Sequence, residues 1–168
     1  MKPYFVSLFG HRAVRAHRTI EERLTQLLRE LARTKEYVEI YIGRSGEFDT
    51  FAASVVKCVM REYGYDNIGM TLVIPYANKD LEYYETYYDS VMIPESIAGS
   101  HPKGAITKRN RWMIEESDLI ICFCEREEGG AYSAMKYAGK LGKQIINIAK
   151  SEEAYESGFL AIGSTFFE

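Results

Sequence analysis

Two glycine-rich segments carry the residues best suited to bind an anion. They run from Gly43 to Asp49 (Gly-Arg-Ser-Gly-Glu-Phe-Asp) and from Glu128 to Ser133 (Glu-Gly-Gly-Ala-Tyr-Ser). Glycine lets the backbone approach a phosphate closely, and the first turn of a following helix offers free N–H groups and a favourable dipole. We therefore predict phosphate binding by local groups. The predicted ligand contacts in these segments are Gly43, Arg44, Ser45, Gly46, Asp49, Gly129, Gly130, Tyr132 and Ser133.

Both segments lack the complete motif of the better-known phosphate-binding loops. The Walker loop requires Gly-Lys followed by Ser or Thr, and the dinucleotide fingerprint requires Gly-x-Gly-x-x-Gly. ATP hydrolysis and ordinary dinucleotide redox chemistry are therefore weakly supported. A single glycine-rich turn after a strand commonly has only a structural role, whereas two such turns in one small domain favour a ligand-binding site.

Further candidate contacts lie at other strand ends and on one helix. They are Gly10, His11, Arg12, Tyr76, Arg109 and Asn110. His11 can serve as a base or an anion contact, but a lone His in a turn is as often a structural hydrogen-bonding group. A helical arginine such as Arg109 is most often a surface residue, whereas Asn110 can donate to a phosphate and accept from a ribose. Tyr76 and Tyr132 follow strand-end turns, where a ring can stack on a base.

The candidate catalytic groups are three carboxylates, Glu47, Asp49 and Glu128. Cleavage or transfer of an N-glycosidic bond needs a carboxylate close to the anomeric carbon, which is why we single them out. Asp49 is also the predicted N-cap of the helix that follows the first glycine-rich segment.

The three cysteines indicate buried, reduced thiols. Cys58, Cys122 and Cys124 are odd in number and lie in apolar sequence. A metal or redox Cys-x-Cys pair at Cys122 and Cys124 is the alternative. No further Cys or His is spaced to complete such a site, so we predict no metal.

Alternating strands and amphipathic helices must position these residues. The predicted strands cover residues 4–9, 37–42, 70–74, 91–93, 118–124 and 144–148, and helices lie between them, two of them at 106–116 and 130–141. Near-continuous apolar strands of this kind are typical of a parallel sheet covered on both faces. We predict an α/β, Rossmann-like, doubly wound fold with a mainly parallel sheet of five or six strands. Ligands of such folds bind beyond the carboxyl ends of the strands, near the topological switch point.

Composition indicates one globular domain over residues 1–168. Residues 151–168 are predicted to form a C-terminal tail that packs against the domain through Phe166 and Phe167. Hydrophobic residues make up 46% of the chain and charged residues 27%. No apolar run approaches the roughly 20 residues that span a bilayer, and no signal peptide is recognisable, so we expect a cytoplasmic protein without a membrane partner. With 21 Lys and Arg against 24 Asp and Glu, the net charge does not favour nucleic acid as a partner.

The order and spacing of several short motifs resemble the SLOG superfamily, and within it the YpsA-like branch of bacterial proteins. That branch is related to DNA-processing protein A and to the LOG phosphoribohydrolases. The resemblance covers about residues 4 to 150. The motifs are Phe9-Gly10-His11-Arg12, Gly43 to Ala53, Pro75-Tyr76, Lys108-Arg109-Asn110-Arg111-Trp112-Met113, Ser117-Asp118 and Glu128-Gly129-Gly130-Ala131.

The resemblance implies a Rossmann-like domain that binds a nucleotide or a nucleotide-derived ligand, such as ADP-ribose or an NAD-like molecule. It implies ligand contacts in the turns named above and a homodimer as the oligomeric state. The LOG enzymes carry a motif glutamate that cleaves the glycosidic bond, but the matching residue here is Lys136. That departure puts LOG-type hydrolysis in doubt and leaves phosphate binding intact.

Two functions follow as expectations. The first is a nucleotide-ligand sensor or binding module without a permanent cofactor. The alternative is an enzyme that cleaves or transfers an N-glycosidic bond, either a nucleoside monophosphate phosphoribohydrolase or a deoxyribosyltransferase-like enzyme. DNA handling, suggested by the distant relation to DNA-processing protein A, is disfavoured by the net charge.

Overall fold

A six-stranded parallel sheet forms the centre of the protein, for which the computed structural model describes residues 2–164. Its strands are β1 (Tyr4–Gly10), β2 (Val38–Ile42), β3 (Ile68–Val73), β4 (Ser90–Met92), β5 (Leu119–Phe123) and β6 (Gln144–Asn147). They lie in the order β4-β3-β2-β1-β5-β6, and every neighbouring pair is parallel. The predicted Rossmann-like α/β fold is therefore confirmed.

Helices connect the strands and cover both faces of the sheet. They are α1 (His17–Thr34), α2 (Glu47–Tyr63), α3 (Leu81–Tyr87), α4 (Pro102–Glu116), α5 (Gly129–Lys140) and α6 (Glu152–Ser164), with a short 3-10 helix at Glu95–Ile97. Buried side chains of α1, α2 and α6 form one core with the first sheet face. Those of α4 and α5 form a second core with the opposite face.

The interior strand β5 illustrates why a strand of this sheet is apolar at every position. Leu119, Ile121 and Phe123 point into the first core, whereas Ile120 and Cys122 point into the second. Successive side chains of a strand alternate between the two sheet faces, so a strand covered on both sides needs an apolar residue at every position. All five residues of the strand are buried as a result.

Several helix boundaries differ from the prediction. Asp49 is not an N-cap: α2 begins at Glu47, with Gly46 as its N-cap residue. Helix α4 begins at Pro102, four residues before the predicted start, and the ring of His101 accepts a hydrogen bond from the backbone N–H of Lys103. Proline suits a first helical position because the N–H that it lacks has no intrahelical partner there.

The segment predicted as a C-terminal tail contains α6. Tyr155 of this helix is buried, and its hydroxyl donates to the backbone oxygen of Arg23 in α1 at 3.0 Å. The predicted packing of Phe166 and Phe167 lies outside the described residues. Within residues 2–164, the helices are all too short or too polar to cross a bilayer.

The topological switch point lies between β1 and β5. From β1 the chain adds β2, β3 and β4 outward on one side and then crosses back through α4 to place β5 on the other side of β1. The connections after β1 and β5 thus leave the sheet edge in opposite directions, and a crevice opens between them at the carboxyl ends of the strands.

Candidate functional site

A cleft of about 430 Å³ occupies the switch point. The turns after β1, β2 and β5 and one face of α4 form its walls. Its lining residues are Phe9, Gly10, His11, Arg12, Ser45, Gly46, Asp49, Ile106, Arg109, Asn110, Arg126, Glu128, Gly129, Gly130 and Ala131. The structure thus brings together ten of the predicted ligand contacts from four separate parts of the chain.

The turn after β1 contributes a buried, neutral histidine. His11 is 4% exposed, and its Nε2 accepts a hydrogen bond from the backbone N–H of Glu125 at 2.8 Å. Burial lowers the pKa of His11 from its ordinary value. A neutral ring that accepts at Nε2 carries its proton on Nδ1. His11 therefore fastens the β1 turn to the β5 turn.

The first helical turn of α2 places a carboxylate in the cleft wall. Asp49 is 9% exposed, and its Oδ2 accepts a hydrogen bond from the backbone N–H of Ser45 at 2.8 Å. Burial raises the pKa of Asp49, although the hydrogen bond from Ser45 and the nearby charge of Arg109 act in the opposite direction. Asp49 is thus held in a fixed position by the turn that the first glycine-rich segment forms.

Arg109 is a buried cation that joins three elements, whereas a helical arginine is most often a surface residue. It is 4% exposed, and its guanidinium donates to the backbone oxygen of Val73 at 3.2 Å and to Ser45 Oγ at 3.1 Å. Its Nε donates to Asn110 Oδ1 at 2.9 Å. A Cβ at Gly43 would lie 2.5 Å from Arg109 Nη1, so glycine at that position makes room for the guanidinium.

The turn after β5 presents the N-terminus of α5 to the cleft. Gly129 has a φ of +86°, a left-handed conformation that favours glycine, and it opens the helix. Residues Gly129, Gly130 and Ala131 all line the cleft, so the free N–H groups of the first turn border it. Arg126 and Glu128 stand beside them, with 3.7 Å between Arg126 Nε and Glu128 Oε1.

Several predicted residues lie outside the cleft. The carboxylate of Glu47 contacts α1 and the segment before it instead. Its Oε2 accepts a hydrogen bond from the backbone N–H of Val14 at 3.1 Å, and its Oε1 lies 2.8 Å from His17 Nε2. Arg44 points away and donates to the hydroxyl of Tyr88 at 3.0 Å. The remaining predicted contacts that do not line the cleft are Gly43, Tyr76, Tyr132 and Ser133.

The lysine that stands at the position of the LOG motif glutamate lies outside the cleft. Lys136 Nζ lies 5.5 Å from the centre of the Tyr132 ring and does not line the cleft. Conversely, sequence reasoning missed Arg126 and Ile106, which do line it. The basic residue three positions beyond β5, just before a predicted phosphate turn, was the available signal for Arg126.

The cysteines have mixed surroundings. Cys122 and Cys124 are buried and unbridged, as predicted, whereas Cys58 is exposed on α2 and its predicted burial is wrong. Burial raises the pKa of Cys122 to about 12, which keeps this thiol protonated and unreactive. Across residues 2–164, His, Cys, Asp and Glu side chains form no group of three or more that would hold a metal ion.

Together these groups have the chemical character that a phosphorylated ligand requires of its site. Arg12, Arg109 and Arg126 supply positive charge, and the first turn of α5 supplies free N–H donors. The carboxylates of Asp49 and Glu128 supply acceptors for hydroxyl or amino groups in the same cleft.

Comparison with known proteins identifies the fold without assigning a family. No protein-family model matches the sequence, and no curated protein matches it. Among solved structures, DNA processing protein A from Streptococcus pneumoniae superposes with a TM-score of 0.64 at 18% identity, over 97% of this chain and 56% of the other. This chain therefore spans little more than half the length of that protein.

Two further structures share the fold. DNA processing protein A from Helicobacter pylori, described for its single-stranded DNA binding mode, matches with a TM-score of 0.60 at 18% identity, over 96% of this chain and 73% of the other. The molybdenum cofactor carrier protein from Chlamydomonas reinhardtii matches with a TM-score of 0.56 at 14% identity, over 98% and 87%.

The expectation that set nucleic acid aside as a partner is wrong. A protein with this fold binds single-stranded DNA, so the fold gives no ground for that exclusion. The net charge gives none either, because it averages over the surface, whereas charges act mainly within about 8 Å in physiological salt. At identities of 14–18%, the comparisons establish that this chain has the Rossmann-like fold of DNA processing protein A.

Proposed function

We propose that the protein binds a nucleotide or a nucleotide-derived ligand, such as ADP-ribose or an NAD-like molecule, in the switch-point cleft, and that it acts as a binding module or sensor. The observation that carries the proposal is the convergence of a helix N-terminus, a buried arginine and a buried carboxylate on one cleft. Gly129 to Ala131, Arg109 and Asp49 all line it.

The α5 side of the cleft suits a phosphate. Three consecutive first-turn residues border the cleft, and Gly129 and Gly130 carry no side chains that would keep a ligand from their N–H groups. Arg126 adds a cation at the same turn. A helix N-terminus and an arginine together bind phosphate through charge-assisted hydrogen bonds.

The α2 side of the cleft suits a sugar. One oxygen of Asp49 accepts from the backbone of Ser45, and the carboxylate has a second oxygen that can accept from a ligand hydroxyl. A ribose hydroxyl beside a phosphate would meet both requirements. This chemistry agrees with the YpsA-like branch of the SLOG superfamily that the motifs resemble, and we keep that finer assignment as part of the proposal.

Ligand titration tests the proposal directly. AMP, ADP-ribose and NAD should each be added to the purified protein while the melting temperature and the fluorescence of Trp112, the one tryptophan, are followed. Trp112 lies on α4, as do Arg109 and Asn110. A ligand at a hundred times its Kd should raise the melting temperature by about 5–10 °C.

Arg126→Ala should weaken binding about tenfold, because it removes a cation beside the phosphate turn. Arg18→Ala is the matched control, since Arg18 is 91% exposed and pairs with Glu22 on α1. The proposal fails if none of the ligands shifts the melting temperature, or if both variants behave alike.

Single-stranded DNA is a second candidate ligand, favoured by the structural similarity to the DNA processing protein A whose single-stranded DNA binding has been described. Fluorescence anisotropy of a labelled dT15 strand at two salt concentrations tests it. Phosphate contacts make the affinity fall steeply with salt, and Arg12→Ala should reduce the slope of log affinity against log salt by about one. No anisotropy change at 50 mM salt would exclude this candidate.

N-glycosidic bond cleavage is a third candidate, because Asp49 and Glu128 line the cleft, whereas Glu47 does not. Chromatography of nucleoside monophosphates after incubation with the protein would detect a released base. Asp49→Asn and Glu128→Gln should each abolish the release if their carboxylates act at the anomeric carbon. Intact substrates after prolonged incubation would exclude this reaction.

A further inference from the structure

A second cavity, of about 200 Å³, borders the switch-point cleft on the side of β2 and β3. The two cavities share Arg12, Ser45, Ile106 and Arg109, which form the boundary between them. We call this second cavity the Tyr76 subsite. A ligand long enough to cross the boundary can occupy the cleft and the subsite together.

The charge of the Tyr76 subsite distinguishes it from the cleft. Three arginines line it, Arg12, Arg44 and Arg109, and its lining includes no Asp or Glu. Within the described residues, none of these three arginines forms an ion pair, whereas five others do: Arg18, Arg23, Arg29, Arg33 and Arg126. The charge of Asp49 acts on Arg109 from the cleft side, but no carboxylate lines the subsite itself, so the three cations around this small cavity attract an anion.

Two of the three arginines are held in place before any ligand binds. Arg109 is 4% exposed and anchored to Val73 and Ser45. Arg44 donates to the hydroxyl of Tyr88, and its guanidinium lies 5.2 Å from the centre of the Tyr84 ring. Guanidinium groups fixed in this way lose little conformational entropy when they bind a phosphate.

An exposed aromatic ring completes the subsite. Tyr76 is 45% exposed, although it lies only three residues after the buried end of β3. The arginines and the exposed tyrosine ring together suit a nucleotide, because the base can stack on the ring while the arginines bind the phosphate.

We infer that the Tyr76 subsite holds a second phosphate with its attached nucleoside, so that the full ligand has dinucleotide length. One phosphate lies on the α5 side of the boundary and the second on the side of Arg44, and Arg12 and Arg109, which line both cavities, can contact either phosphate. The inference rests on the proposed function of the cleft. The shared chemistry is a second phosphate bearing a base, which either a pyrophosphate dinucleotide or a 5′-phosphorylated single strand supplies.

Comparison of one mononucleotide with two dinucleotides tests the inference. The probes are AMP, NAD and the 5′-phosphorylated dinucleotide pApA, and Kd is measured for each by Trp112 fluorescence or calorimetry. At least one of the two dinucleotides should bind ten times more tightly than AMP. A gain for NAD alone identifies a pyrophosphate ligand, and a gain for pApA alone identifies a nucleic acid strand.

Single-residue variants test whether the extra affinity of the dinucleotides comes from the Tyr76 subsite. Tyr76→Ala should remove about tenfold of the dinucleotide affinity and change the Kd of AMP by less than twofold. Arg44→Met should act in the same way, because methionine keeps an apolar side chain against Tyr84 and removes the charge. Tyr65→Ala is the matched control, since Tyr65 is 51% exposed and lies between α2 and β3, before the amino end of the strand, whereas Tyr76 follows its carboxyl end.

Three outcomes overturn the inference. The first is that AMP and both dinucleotides bind equally well. The second is that Tyr76→Ala weakens the binding of AMP as much as that of the dinucleotides. The third is that Tyr76→Ala and Tyr65→Ala have the same effect on dinucleotide binding. In each of these cases AMP still binds, so the proposed function of the cleft stands. Failure of all three probes to bind the wild-type protein would overturn the proposed function and this inference with it.

Discussion

Asp49 is a carboxylate kept in a place that disfavours its charge. It is 9% exposed, and burial raises its pKa above the ordinary value. A raised carboxylate pKa means that the folded state holds the proton more tightly than the unfolded chain does. The ionised form therefore lowers stability, and this loss grows as pH rises through the raised pKa. The presence of a buried aspartate at this position is therefore better explained by a role in ligand binding than by a contribution to stability.

Asp49→Asn should raise the melting temperature at pH 7–8. Asparagine keeps an acceptor for the backbone N–H of Ser45 and removes the buried charge. The gain should shrink as pH falls, because wild-type Asp49 is then protonated too. Asp118→Asn is the control: Asp118 is exposed and also accepts from a backbone N–H, that of Phe5. A lower melting temperature for Asp49→Asn at every pH would contradict the prediction.

His11 should make the protein less stable in mild acid. Burial lowers its pKa from 6.5, so the unfolded chain takes up a proton below that pH more readily than the folded protein does. Stability should thus fall as pH drops from 7 toward the lowered pKa. In His11→Gln the side chain can still accept from Glu125 but does not titrate, so melting temperatures at pH 7 and 5.5 should differ less than in the wild type. Equal pH dependence would show that other groups dominate.

At the scale of elements, close backbone contacts hold the turns of the cleft together. A Cβ at Gly46 would lie 2.6 Å from Arg12 Cα, and one at Gly10 would lie 2.1 Å from the ring of Phe48. The backbone N–H of Glu47 also donates to the carbonyl of Arg12 at 2.9 Å. The start of α2 therefore packs directly on the turn after β1, and glycine is required at both contacts.

Gly10→Ala should destabilise the protein by about 1–3 kcal/mol, because the added methyl group forces the fully buried Phe48 out of its position. Gly139→Ala is the matched control, since nothing surrounds the Cβ position of this helical residue. It should be neutral or stabilise by about 0.5 kcal/mol. Urea unfolding measures both changes, and equal effects would contradict the described contact.

Sequence reasoning was strongest at this scale. The spacing of Ile20, Leu24 and Leu31 predicts the buried face of α1, and all three are fully buried. It failed at helix starts, where Asp49 looked like an N-cap. An aspartate near a helix start has the same local sequence whether it caps the helix or lies within the first turn, so only the backbone conformation distinguishes the two.

At the scale of the whole molecule, a sheet covered on both faces shields its central strands from solvent. Cys122 lies on β5 in the second core, and Cys124 follows the strand, whereas Cys58 lies on the outer face of α2. Thiol reactivity should therefore report the integrity of the whole sheet.

A thiol reagent such as Ellman's should modify one cysteine of the native protein rapidly and all three after unfolding in urea. Burial excludes the reagent from Cys122 and raises the pKa of that thiol to about 12, so little thiolate is present. The Cys58→Ser variant should show no rapid reaction. Rapid modification of two or three thiols in the native wild type would mean that the β5 end of the sheet opens readily.

The amino-acid sequence by itself determined the alternation of strands and helices, the apolar character of the central strands and the glycine turns at their ends. These features depend on neighbours within a few residues, where periodicity and backbone preference act. The strand order and the burial of Arg109 were decided only by the tertiary structure. Arg109 meets Val73 and Ser45, which lie 36 and 64 positions away in the chain. Local sequence reports that a helical residue is charged, but only the packing of α4 across the ends of β2 and β3 reveals that this charge is buried beside a cleft.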